Sequence, residues 1–192
     1  MGENKYGIGR TIKNFVLLTL GAGIGGGIIL DGKVLRRSTE MGHFPVNPFG
    51  DYCGCGNIGC VEREFSATAF RARMDEVNLK RGAQGAIADV RSLFDLAERG
   101  DFDAASILHR GVFFLARAIS GYANALDPER LVLSGGISKA GDFLLNLLVE
   151  ELRPILWRKD PRQFLQISSL GAQMGLYGAG AVGADVLEEK RR

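Results

Sequence analysis

The sequence predicts an α/β domain. Short apolar runs of strand character alternate with longer runs of helical periodicity. The chain has 192 residues, 46% of them hydrophobic and 24% charged, enough length and apolar content for one hydrophobic core. A single domain over residues 1–192 is expected, with no internal repeat and no low-complexity linker.

Each element follows from its local pattern. Asn14 to Leu20 (NFVLLTL) is a buried strand, and Gly21 to Gly27 is a glycine-rich turn. Gly26 to Leu35 continues as a second strand, with Asp31-Gly32 as a hairpin signal. Arg36 to Gly59 has no periodicity and many Gly, Pro and Asn residues, so it reads as a long irregular segment of the kind that serves function. Glu62 to Asp75 is predicted helical, as is Ile87 to Arg99, stopped by Gly100. From Asp103 to Leu126, residues Ile107, Leu108, Val112, Leu115, Ile119 and Tyr122 recur at helical spacing until Asp127-Pro128 ends the run. Arg130 to Ser134 is a short buried strand, Gly135-Gly136 a turn, and Asp142 to Leu152 an amphipathic helix. Phe164 to Ser168 is the last strand, and Gly171 to Glu189 a small-residue helix or helix pair.

Composition excludes several classes. A net charge of +2 is too near neutral for a nucleic acid or an anionic membrane as partner. The first ten residues are polar and carry no secretory pattern. The uncharged run Phe15 to Leu30 is shorter than the roughly 18 residues of a membrane span and is rich in glycine. The three cysteines, Cys53, Cys55 and Cys60, crowd into one segment. They make a poor disulfide framework but a good metal-ligand set for a reducing compartment, so a cytoplasmic protein is expected.

With His43 these cysteines give H-x9-C-x-C-x4-C, a ligand set suited to a closed tetrahedral zinc site. Gly54, Gly56 and Gly59 lie between the ligands and let the backbone turn sharply. Bound zinc would also order a segment that has no core of its own, contributing about 10 kcal/mol or more. The alternative is three free thiols and an unrelated histidine. The second histidine, His109, falls inside a helix and reads as a surface or packing residue.

Glu40-Met41-Gly42-His43, followed by Cys53-Gly-Cys55-Gly-Asn-Ile-Gly-Cys60-Val61-Glu62, resembles the signature of the ROK family of repressors and sugar kinases. The resemblance implies zinc bound by His43, Cys53, Cys55 and Cys60, and a sugar read by Glu40, His43 and Glu62. The chemistry is coherent, since a carboxylate accepts two hydroxyls and a metal-held imidazole has a fixed tautomer. A charge in the first turn of a helix is the alternative reading of Glu62.

The glycine-rich turn lets backbone N–H groups approach phosphate oxygens, although tight packing would explain it equally well. It resembles the second phosphate-binding hairpin of the actin-like ATPase (ribonuclease H-like) fold, where ROK kinases carry G-T-G-x-G-G-G. Ala22 stands in place of the threonine, a lost donor worth about 1 kcal/mol. Leu131 to Ile137 resembles the family's adenosine motif. ATP with Mg2+ is thereby expected at Gly21, Ala22, Gly23, Gly25, Gly135 and Gly136.

Family kinases activate the sugar hydroxyl with an aspartate in an Asn-Asp segment, and phosphoryl transfer needs such a base. No Asn-Asp pair occurs in the chain, and neither does the family's first phosphate loop. The resemblance therefore implies the larger C-terminal lobe of a ROK sugar kinase, with the base expected upstream of Met1 and no kinase activity in the isolated chain. The expected partners are a hexose and ATP, with no membrane, no nucleic acid for this segment, and a homodimer or higher homo-oligomer left open. The sugar class stays open among glucose, fructose and the N-acetylhexosamines. A ROK repressor and a vestigial zinc-stabilised domain are the rival readings.

Overall fold

The computed structural model describes residues 1–36, 39–157 and 159–189. Arg37 and Ser38, part of the expected irregular segment, lie outside the described residues.

The chain opens with α1 (Gly2–Tyr6), which sequence patterning missed. Its five residues have no apolar stripe, and tertiary contacts hold it. Glu3 is buried, accepts the Ile8 N–H at 3.2 Å, and receives the Ser168 hydroxyl. The strand β1 (Phe15–Leu20) then leads through Gly21–Gly23 into the antiparallel β2 (Ile24–Leu30). The second strand does not run on to Leu35 as expected. Asp31 and Gly32 both adopt left-handed φ values, 50° and 75°, and turn the chain back into the two-residue β3 (Lys33–Val34).

The predicted helix over Glu62 to Asp75 is two helices, α2 (Val61–Glu64) and α3 (Ala67–Arg81). Ser66 breaks them apart and caps α3, its hydroxyl accepting the Ala69 N–H at 3.0 Å. The break also turns the Ala67 N–H onto the Gly21 carbonyl at 2.8 Å. The next helix, α4 (Val90–Glu98), starts later than expected because Asp89 and Ser92 form a capping box. Ile87 stays outside it, buried and clamped by the Asn78 side chain, which accepts its N–H at 2.8 Å and donates to its carbonyl at 3.0 Å.

The longest helix, α5 (Phe102–Leu126), ends where Asp127 turns left-handed before Pro128. After β4 (Arg130–Ser134) come α6 (Gly141–Leu152) and a helical turn, α7 (Pro161–Phe164). That turn takes Phe164 out of the last strand, so β5 spans Leu165–Ile167. A 3-10 turn at Gly171–Gln173 precedes α8 (Met174–Glu189).

The five strands form one mixed sheet in the order β3-β2-β1-β4-β5, with β1, β4 and β5 parallel. Strand alternation splits its side chains between two faces. Val16, Leu18, Ile28, Leu131, Leu133 and Leu165 join the main core with α5 and α6. Phe15, Ile29 and Val132 pack on the other face with Ile8 and Ile12. Each such leucine contributes about 1.5–3 kcal/mol relative to exposure. The turns at the C-terminal ends of β1 and β4 converge there. Among the described residues no helix is long and apolar enough to cross a membrane.

Candidate functional site

The cysteine loop has little apolar burial, and backbone bonds shape it instead. The Cys53 N–H donates to the Asn57 carbonyl at 2.8 Å, the Gly56 N–H to the Cys53 carbonyl at 3.0 Å, and the Gly59 N–H to the Asp51 carbonyl at 2.9 Å. Gly59 is required twice over. Its φ is +64°, and a Cβ there would stand 1.6 Å from the Asn47 carbonyl oxygen.

These turns bring one donor atom each from His43, Cys53, Cys55 and Cys60 within 4.8 Å of one another. His43 Nδ1 lies 3.4 Å from Cys53 Sγ, and Cys55 Sγ lies 3.5 Å from Cys60 Sγ. Four ligands about 2.3 Å from a central ion stand about 3.8 Å apart, so the cluster is close to a tetrahedral metal cage. Burial, together with the Cys55 and Cys53 sulfurs, pushes the Cys60 thiol up to about 12. The exposed Cys55 thiol is lowered, chiefly by the Asn57 backbone. Three sulfurs this close do not share three negative charges unless a cation sits among them.

His43 ends the 3-10 turn Met41–His43, next to Glu40, whose carbonyl accepts the His43 N–H at 3.0 Å. Gly42 presses this turn onto β2, where an added Cβ would meet the Ile24 carbonyl oxygen at 2.2 Å. Tyr122 from α5 donates its hydroxyl to the Met41 carbonyl at 2.5 Å, and burial holds that phenol above its ordinary range. Glu62, in the single turn of α2, reaches the same part of β2, and its Oε2 accepts the Ile24 N–H at 2.7 Å. Both expected sugar-side turns are thus docked on Ile24.

The first two residues of the glycine turn line a cleft of about 660 Å3. Gly21, Ala22 and Gly136 line it, Phe94 and Phe143 form apolar wall, and Arg71, Arg91 and Lys139 supply cations. The Thr68 hydroxyl of α3 donates to the Ala22 carbonyl at 2.8 Å and helps fix the turn. Gly23, Gly25 and Gly135 do not line the cleft. Gly25 pairs with Thr19 across the hairpin, and Gly135, with φ +94°, passes so close to β1 that a Cβ would meet the Leu20 carbonyl oxygen at 2.4 Å. His109 is exposed on α5.

Sequence reasoning missed the support under the loop. Glu64 is fully buried. It accepts the Asn47 amide at 2.6 Å, Arg73 at 2.5 Å and Arg110 at 3.2 Å, so the cysteine loop is tied to α3 and α5. In sequence it is one charge among several in VERE, and its partners lie 17, 9 and 46 residues away. The cations of the cleft come from three separate segments and carried no joint signal either.

The comparisons agree with this architecture. The model of the ROK family matches residues 1–186, and the chain belongs to the ROK family. It is 40% identical to the glucokinase of Thermotoga maritima over 164 residues, covering 79% of this chain and 52% of the relative. It is similar to the ROK family glucokinase from Streptomyces griseus, solved in complex with glucose and AMPPNP, at 28% identity and a TM-score of 0.79. That match covers 94% of this chain and 64% of the other. It is also similar to a ROK family transcriptional regulator, a homolog of E. coli MLC protein, at 26% identity and a TM-score of 0.79, covering 93% of this chain and 47% of that one. The fold is the mixed α/β sheet of ROK sugar kinases, and the chain spans about half the length of the Thermotoga glucokinase.

Proposed function

We propose that the chain is the zinc-stabilised lobe of an ATP-dependent hexose kinase. The observation that carries the reading is the three-residue turn Gly21–Gly23, which lines a cleft with Gly21 and Ala22 and meets the Glu62 carboxylate at Gly23. Such a turn brings a phosphate chain and a sugar hydroxyl to one short backbone segment, as phosphoryl transfer requires. Gly21, Ala22 and Gly136 hold the nucleotide with its Mg2+, while Phe94 and Phe143 supply apolar wall for its base. His43, Cys53, Cys55 and Cys60 hold structural zinc. With Nδ1 turned to the cysteines, the other ring nitrogen of His43 carries the proton and donates to a sugar hydroxyl. Glu40 and Glu62 accept from the sugar. The reading needs a base to accept the hydroxyl proton, and no residue of this chain is assigned that role. Relatives named glucokinase support a hexose as substrate. Assembly as a homo-oligomer is an open part of the proposal.

A sugar-responsive regulator is the second reading, favoured by the regulator's equal structural similarity and by the missing hydroxyl at Ala22. Calorimetry separates the two. Binding of both glucose and ATP to the zinc-loaded chain supports the kinase lobe. Sugar binding without ATP binding supports the regulator, and binding of neither overturns both.

A further inference from the structure

The turn that faces the cleft with Gly21 and Ala22 faces a carboxylate with its third residue. A Cβ built on Gly23 would stand 2.2 Å from Glu62 Oε2, the oxygen that accepts the Ile24 N–H at 2.7 Å. Gly23 is absent from the residues with left-handed φ, so its backbone would tolerate alanine. What demands glycine at this position is the Glu62 side chain. Ile24 itself is buried at the start of β2, held in register opposite Leu20. Its amide is therefore a fixed donor, and the carboxylate it holds is fixed with it.

We propose that Gly23 and the Ile24 amide are sugar-positioning residues acting through Glu62, rather than phosphate contacts. This rests on the reading of Glu62 as a sugar-binding residue. The Ile24 N–H holds Oε2 and leaves Oε1 to accept a hexose hydroxyl from one defined direction. Without that bond the carboxylate loses its preferred rotamer and must be ordered by the sugar itself, which weakens binding. The proposed phosphate contacts are different residues of the turn, Gly21 and Ala22, so sugar and nucleotide affinity can be altered separately.

Gly23→Ala in the full chain is the test, because the added methyl displaces the carboxylate without altering Glu62. Glucose and N-acetylmannosamine are titrated by calorimetry into the zinc-loaded protein, and the Ile24 amide is followed by NMR. The expected result is a loss of about ten-fold or more in affinity for whichever sugar the wild type binds, the size expected for a charge-assisted hydrogen bond. The Ile24 amide proton moves upfield and zinc content is unchanged. Gly27→Ala, where a Cβ meets nothing within 4 Å, keeps wild-type affinity. If Gly23→Ala fails to fold, Glu62→Asp replaces it, because the shorter side chain cannot reach both Ile24 and a sugar, and the same loss is expected. Unchanged sugar affinity with a shifted Ile24 amide overturns the proposal alone. A wild type that binds neither sugar overturns the assignment of Glu62 to a sugar, and this proposal with it.

Discussion

The cysteine loop and the sheet core are organised in opposite ways. In the core, Leu18, Leu131, Leu133, Leu108 and Leu115 are wholly buried, and apolar area holds the layers together. In the loop two large aromatic side chains point outward. Phe49 is 95% exposed and Tyr52 80%, while Cys60 is fully buried and Asn47 nearly so. The core would persist with many side-chain choices, since burial is non-directional. The loop depends on a few directional contacts: four metal-type ligands, the Asn47–Glu64 bond, and glycines at Gly56 and Gly59 with left-handed φ. A fold that entrusts its proposed sugar-side residues to such a loop gains precise placement and gives up tolerance to substitution.

Removing the proposed zinc is the strongest way to break this contrast. With a chelator, residues 39–60 should lose amide exchange protection while the sheet and α5 keep theirs. The binding free energy at stake is about 10 kcal/mol. Unchanged loop protection in metal-free protein would sink the zinc assignment.

Glu64→Ala comes next. It leaves the mostly buried Arg73 without its carboxylate and the Asn47 amide without its acceptor on α2. Loss of one partner of a buried pair costs about 3–5 kcal/mol, measurable by urea unfolding. A loss below about 1 kcal/mol would mean that Arg73 and Arg110 simply turn to solvent.

Leu131→Ala sharpens the comparison from the other side. It should cost about 2–5 kcal/mol and lower the midpoint of one cooperative transition, with zinc bound per folded chain unchanged. An altered zinc content would show that the two regions are not energetically separate.

The same contrast explains what could be read from the sequence. The strands β1 and β4 and the helix α5 were legible because burial imposes period 2 or 3.6 on neighbouring residues. The His43–Cys60 cluster was legible as residue types, since cysteines crowded into one segment have few other uses. The sugar-side roles of Glu40 and Glu62 rested on resemblance, because a carboxylate's partner is invisible in one dimension. The helix α1 was missed because GENKY is held by Ser168 and by the ring contact of Tyr6 with Tyr177, 5.5 Å between centroids, and not by its own pattern. The break at Ser66 was missed because an apolar periodicity continues across it. The closeness of Gly23 to Glu62 was not legible, because glycine records that space is needed, not which atom needs it.

The smallest expected effect lies at the helix ends of the core, where electrostatics does enter. Asp101 caps α5, accepting the Ala104 N–H at 2.9 Å, and also accepts Arg81 at 2.5 Å. Arg81 first, then the Ala104 N–H, holds the Asp101 carboxyl below the usual carboxylate range. A carboxyl held more acidic in the folded state adds stability above its unfolded value near 3.9 and loses it as pH falls through the folded value. Wild type should therefore lose stability below about pH 4 more steeply than Asp101→Asn, which keeps a capping side chain but has no charge to lose. Because the pair is partly solvated, the difference should reach a few tenths to about 1 kcal/mol at neutral pH. Parallel acid unfolding curves for the two proteins would mean that Arg81 is served by Asp103 alone, 2.7 Å away, and that the core owes Asp101 its cap and nothing more.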